Sequence, residues 1–217
     1  AEIDGLHPDI IVLGGDLVDE GTSGEKMREG FRVLGSLESR YGIYYVYGNH
    51  DRQPYTADRT YTYEELEQAI ESEGIRILRD EYIEIGDDLI LAGREDAIIA
   101  RYLTGRSSTE ELLRGADRDR YIILADHEPV EPEENDAQGV DLMLSGHTHA
   151  GQIWPVGLLN ALGGTLNYGE YQVGDCKVIV SSGAAGWGYP IRTGGHCEYV
   201  VVDIAGRADE GPSGKGG

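Results

Sequence analysis

Short apolar runs rich in Ile, Val, Leu and Tyr, bounded by Gly, Asp or Asn, recur at residues 9–13, 42–47, 75–78, 89–92, 121–125, 140–144, 177–181 and 198–203. Nearly continuous apolar stretches of this length predict strands covered on both faces. Between the early runs the period changes. Met27, Phe31, Leu34 and Leu37 recur at helical spacing with charged residues between them, which gives one amphipathic face. Thr62 and Glu65 form the signature of a capping box, with Leu66, Ala69 and Ile70 as the apolar stripe and Gly74 as the stop. Ser108 with Glu111 opens a third, shorter helix that ends at Gly115.

From Gly151 onward the chain is Gly-rich and reads as strands. Alternating β and α followed by strands predicts an α/β core with a mixed sheet, closed by β structure at the C-terminal end. No repeat or linker divides the sequence, so residues 1–204 read as one domain and the Gly-rich residues 205–217 as a flexible tail. A length of 217 residues with 40% apolar content suffices for such a core without disulfides. Cys176 and Cys197 lack CxxC spacing and are expected to be two small buried thiols. No run approaches the ~20 apolar residues of a membrane span, and residues 1–9 lack the basic and apolar regions of a signal peptide.

Charge narrows the chemistry. A net charge of −22 disfavours nonspecific affinity for nucleic acid or anionic lipid, which depends on Lys and Arg. A groove for phosphate groups in such a chain needs local relief, and metal ions can supply it. The polar residues that could hold them follow four apolar runs: Gly14-Gly15-Asp16-Leu17-Val18-Asp19 after the first, Gly48-Asn49-His50-Asp51 after the second, Asp126-His127 after 121–125, and Gly146-His147-Thr148-His149 after 140–144. Open α/β sheets place ligands at these strand ends. Asp16, Asn49, His127, His147 and His149 supply the carboxylate, amide and imidazole donors that hard and borderline cations take, and a carboxylate can bridge two ions. If residues 146–149 are extended, His147 and His149 point to one side.

Taken together, GDLVD, GNHD, a strand-ending His127 and GHTH resemble successive motifs of the calcineurin-like metallophosphoesterases over about residues 8–204. GREDA at 93–97, GHTHAGQI at 146–153 and SSGAAGWGYPIR at 181–192 are similar to a bacterial branch that is often membrane-tethered and includes phosphodiesterases and UDP-diacylglucosamine pyrophosphohydrolases. The resemblance implies a four-layer αββα sandwich with two mixed sheets and two divalent ions, Mn, Fe or Zn. Asp16 would bridge them, Asn49, His127 and His147 would complete one shell, and His149 would bind the other ion. A hydroxide held between the ions would attack phosphorus, hydrolysing a phosphodiester, phosphomonoester or pyrophosphate. His50 would protonate the leaving oxygen and Asp19 would orient His50. The implied substrate is a small phosphorylated molecule, with a lipid or sugar part compatible. The implied location is a soluble domain associated with a bacterial membrane through a segment preceding residue 1.

Two departures qualify that picture. The family's first motif, Asp-x-His on a strand upstream of GDxxD, does not occur; Asp4-Gly5-Leu6-His7 has the wrong spacing, and His7 reads as a surface residue. The domain thus reads as N-terminally truncated. The second ion keeps Asp16 and His149 alone, and two protein donors compete poorly with water. A catalytically silent metal-binding scaffold or regulatory domain is therefore the alternative, and an exposed strand edge is expected where the missing strand would pair. The second departure is Glu20 and Asp51, which stand where the family's protein phosphatases carry Arg and Glu. Acidic side chains there would repel a phosphate dianion, which disfavours phosphoprotein substrates.

Overall fold

The computed structural model describes residues 2–188 and 191–205. Nine strands among them form two sheets. The first runs in the order β1 (Ile11–Leu13), β2 (Ile43–Tyr45), β3 (Ile75–Ile77) and is parallel throughout. The second has the order β4-β5-β6-β7-β9-β8, with β4 (Glu81–Ile85), β5 (Leu89–Gly93), β6 (Tyr121–Ala125), β7 (Leu142–Ser145), β8 (Gly169–Val173) and β9 (Cys176–Val180). It is mixed, because β4 and β8 run antiparallel to their neighbours while β5, β6, β7 and β9 are parallel.

The layers follow from the period-2 alternation of side chains along each strand. Ile11, Ile43, Tyr45 and Ile75 join Met27 and Phe31 of α1 (Gly24–Gly35) and Leu66 and Ile70 of α2 (Tyr63–Glu71) in one core. Val12, Tyr44 and Val46 turn the opposite way and meet Leu91, Ile123, Leu142 and Ile179 of the second sheet. That sheet's other face, including Ile90, Ile122, Leu124, Met143 and Val178, packs with Leu112 and Leu113. Leu112 closes α4 (Thr109–Leu112), which follows the three-residue α3 (Ala97–Ile99). The sequence therefore builds the expected four layers: helices, sheet, sheet, helices. The correction is that one sheet is wholly parallel. β1 is an edge strand of that sheet.

Both expected capping boxes form. Thr62 Oγ1 accepts from Glu65 N at 3.2 Å and Glu65 Oε2 accepts from Thr62 N at 2.8 Å. Ser108 and Glu111 do the same for α4. Thr62→Ala is expected to cost about 1 kcal/mol, or roughly 2–4 °C in Tm, with no change in ligand binding. A thermal melt of the variant checks this.

Three expectations change, and the acidic run at 131–136 leads into a helix, α5 (Pro132–Ala137): Pro132 starts it with a preset φ, and Asn135 is buried beneath. The Gly-rich region after 151 contains the apolar helix α6 (Val156–Leu162). Residues 198–203 form no strand; a β-branched run needs a ladder partner, and none pairs with it among the described residues, so Val200 and Val201 are exposed. Cys197, beside that segment, is consequently exposed, whereas Cys176 is buried in β9; both are free. The expected tail lies outside the described residues apart from Ala205. No helix among the described residues is long and apolar enough to cross a membrane.

Candidate functional site

The loops leaving β1 and β2 lie back to back. A Cβ on Gly48 would stand 2.6 Å from the Asp16 nitrogen, and one on Gly15, whose φ is +86°, would stand 2.8 Å from the Tyr47 carbonyl carbon. Only glycine allows this approach. Asp51 then ties the loops together. Its fully buried carboxylate accepts N–H bonds from Gly48 at 2.6 Å, Asp16 at 3.0 Å, Leu17 at 3.1 Å and Val18 at 3.4 Å. Burial, joined by the Asp16 charge, pushes Asp51 up to about 6 despite those donors. Asp51 is therefore a brace turned into the protein, and the expectation that it repels substrate is corrected.

Asp16, held in the left-handed region at φ +52°, presents Oδ1 to the N–H of His50 at 2.8 Å and Oδ2 to His127 Nε2 at 3.1 Å. His127 follows β6 and is buried; its Nδ1 lies 2.7 Å from the Gly14 carbonyl, which fixes Nδ1 as the N–H donor and leaves Nε2 facing Asp16. His147, after β7, brings Nδ1 to 3.0 Å from Asn49 Oδ1 and 3.3 Å from His127 Nε2. Ligand atoms of Asp16, His127 and His147 all lie within 4.8 Å of one another. Asn49 is oriented in turn by Tyr55, whose hydroxyl accepts from Nδ2 at 3.1 Å.

These donors fit a divalent cation. A carboxylate oxygen, an amide oxygen and two imidazole nitrogens converge, the ligand types that a hard or borderline divalent cation takes. The surroundings add negative charge. Asp96 is fully buried, with Oδ1 accepting from Ile99 N at 2.7 Å and Oδ2 without a hydrogen-bond partner among the described residues; burial raises it to about 6. Glu128, raised by burial to about 7, has Oε1 3.9 Å from His147 Nε2. The same field acts on the imidazoles. Burial opposes the charge on His127, but Asp16 outweighs it and lifts His127 to about 10, while burial and the His127 charge push His147 down to about 4.

His149 stands apart. Residues 146–149 are not extended: His147 and His149 have φ of +64° and +50°, because the chain turns sharply once β7 ends at Ser145. The His149 ring is outside the Asp16–His127–His147 group, although burial lowers it and the charges of Asp16, His127 and His50 reach it. The structure gathers four of the five expected ligands and leaves the fifth beside them.

Around His50 one assignment changes. Its Nδ1 lies 2.7 Å from Glu20 Oε2, not against Asp19. Asp19 Oδ1 is engaged by the Thr22 hydroxyl at 2.7 Å and by Gly21 N at 3.0 Å, which turns it into the loop before α1. Glu20, read from the sequence as a repelling charge, is thus the partner of His50. Arg192 donates to the carbonyls of His149, His196, Ser182 and Ala185 and clips loops together. His7 is exposed as expected. Tyr55, Asp96 and Glu128 escaped the sequence reading; Glu128, directly after His127, carried the nearest signal.

A family model for calcineurin-like phosphoesterases matches residues 2–151. An uncharacterized metallophosphoesterase of Aquifex aeolicus is 34% identical over 212 residues, covering 93% of this chain and 75% of that protein. One from Helicobacter pylori is 33% identical over 193 residues, covering 88% of this chain and 50% of its own. A Bos taurus transmembrane protein with metallophosphoesterase domain is 36% identical over 207 residues, covering 91% and 46%. The chain spans about half the length of the latter two. Among solved structures, the protein TT1561 of Thermus thermophilus aligns with a TM-score of 0.50 at 15% identity, covering 79% of this chain and 76% of that one. The sulfate thiohydrolase SoxB of Thermus thermophilus, in complex with glycerol, aligns at 0.51 and 16%, covering 81% and 34%. At those identities the likeness is one of fold.

Proposed function

This chain belongs to the calcineurin-like phosphoesterase family, and on that premise we propose that it hydrolyses a phosphodiester, phosphomonoester or pyrophosphate with a divalent cation held by Asp16, Asn49, His127 and His147. The observation that carries the reading is the convergence of those four donors from the ends of β1, β2, β6 and β7. A bound divalent cation supplies Lewis-acid polarisation of a phosphoryl oxygen. The chain's own residues do the rest. Glu20 accepts from Nδ1 of His50 at 2.7 Å, which leaves Nε2 as the atom that gives a proton to the leaving oxygen. Asp51 and Tyr55 keep Asp16 and Asn49 in place. Mn, Fe and Zn all suit these donors.

The bovine relative's name supports a companion reading, that a longer protein holds this domain at a membrane; the substrate proposed with it is a lipid- or sugar-linked phosphoester. The position of His149 favours a second reading, a silent cation-binding module, because Asp16 and His149 alone would hold a second ion. Turnover of an aryl phosphodiester with added Mn²⁺ separates the two. Hydrolysis that falls roughly 10²-fold or more in His50→Ala for an alkyl leaving group, and far less for nitrophenolate, supports proton donation by His50. Cation binding without any turnover supports the silent module. One tightly bound equivalent is expected, and two would contradict the weakened second site.

A further inference from the structure

Gln152 and Trp187 sit in the two C-terminal motifs, and the chemistry above uses neither. Gln152 is 9% exposed. Its side-chain oxygen accepts from Trp187 N at 2.6 Å and its side-chain nitrogen donates to Trp187 O at 2.7 Å. One amide thus meets both backbone groups of one residue, as a neighbouring strand would, and fixes where that residue stands and how it is turned. Gln152 itself has φ +31°, and its carbonyl accepts from Thr193 and Gly194. A non-glycine residue in that region is held there by its surroundings.

The indole positioned in this way lies against His50, with ring centroids 5.6 Å apart and planes inclined at 42°. Tyr55 approaches the same imidazole at 5.0 Å and 58°. Both centroid distances are in the range of favourable aromatic contact. Yet Trp187 remains 49% exposed and Tyr55 55%, so each ring is anchored and still offers surface to solvent. Rings serving only to fill a core would not leave half their area uncovered.

We propose that Gln152 positions Trp187, together with Tyr55, as an aromatic slot beside His50 that receives the leaving group, so that phosphoesters with a planar aromatic leaving group are preferred. The proposal rests on the reading of His50 as proton donor to the leaving oxygen. Trp187 is then a specificity residue in contact with substrate, and Gln152 a positioning residue acting through it.

Methyl phenyl phosphate and methyl 2-naphthyl phosphate test the slot, because their leaving alcohols have similar acidity and differ in the flat area they offer. With Mn²⁺ present, the native chain is expected to prefer the naphthyl ester by about tenfold in kcat/KM. Trp187→Ala and Gln152→Ala should bring the ratio near one, Trp187→Phe should keep part of it, and all three should retain the native cation content. An unchanged naphthyl preference in Trp187→Ala overturns the slot while leaving the hydrolase reading intact. If the native chain cleaves neither ester, the phosphodiester form of the hydrolase reading fails instead, and calorimetric binding of 2-naphthylmethylphosphonate with Mn²⁺ decides the slot. A roughly tenfold weaker affinity in Trp187→Ala supports it. Equal affinity, or no binding to the native chain, overturns it.

Discussion

Asp16→Asn is expected to weaken Mn²⁺ binding by roughly 10³-fold and to remove hydrolytic activity, while the chain stays folded. The amide matches the carboxylate in size, and its oxygen can still accept the N–H of His50 now bonded at 2.8 Å. What disappears is the charge. Opposite unit charges about 4 Å apart are worth about 4 kcal/mol at an effective dielectric of 20, and each 1.4 kcal/mol is tenfold in affinity. Residues that merely orient ligands already cost roughly 10–100-fold when replaced, so a direct anionic donor should cost more. Calorimetric titration with Mn²⁺ and a thermal melt of the same preparation check the two halves of the prediction. Undiminished binding would remove Asp16 from the site.

Asp51→Ala should produce the largest loss of stability. Four backbone N–H groups from two loops bond this one buried carboxylate. An unsatisfied buried donor costs about 1–3 kcal/mol, so even with partial rescue by water the loss should reach about 4 kcal/mol. Against a typical total of about 5–15 kcal/mol, and at roughly 2–4 °C per kcal/mol for a chain of this size, Tm should fall by about 10 °C or more. Asp51→Asn, which keeps one acceptor, should lie between the variant and the native chain. Urea melts of the three proteins measure the series. A loss in Asp51→Ala no larger than that of Thr62→Ala would contradict the bracing role.

The layers of the fold were legible because continuous apolar runs, their alternation with helical periods and the two capping boxes are local signals. The convergence of Asp16, Asn49, His127 and His147 was legible for a related reason: each follows a strand, and parallel strands bring their C-terminal ends to one edge. What the sequence hid depends on which way a short side chain turns within a loop. Asp19 and Glu20 are adjacent carboxylates, and spacing cannot tell which reaches His50; Thr22 and Gly21 settle it by engaging Asp19. Asp51 looked like a charge facing substrate, since nothing local shows that the N–H groups of Gly48, Asp16, Leu17 and Val18 converge on it. The turn at His147 and His149 places both residues at positive φ, a conformation that residue identity alone does not announce. Residues 198–203 carry strand-like side chains, but a strand needs a partner as well as propensity.

The most direct test of the cation site is a Mn²⁺-soaked crystal examined for anomalous scattering. The account predicts a peak bounded by Asp16, Asn49, His127 and His147, with all four side chains in direct coordination contact. A crystal saturated with Mn²⁺ that shows no peak there, or shows one while those four side chains point elsewhere, would contradict it.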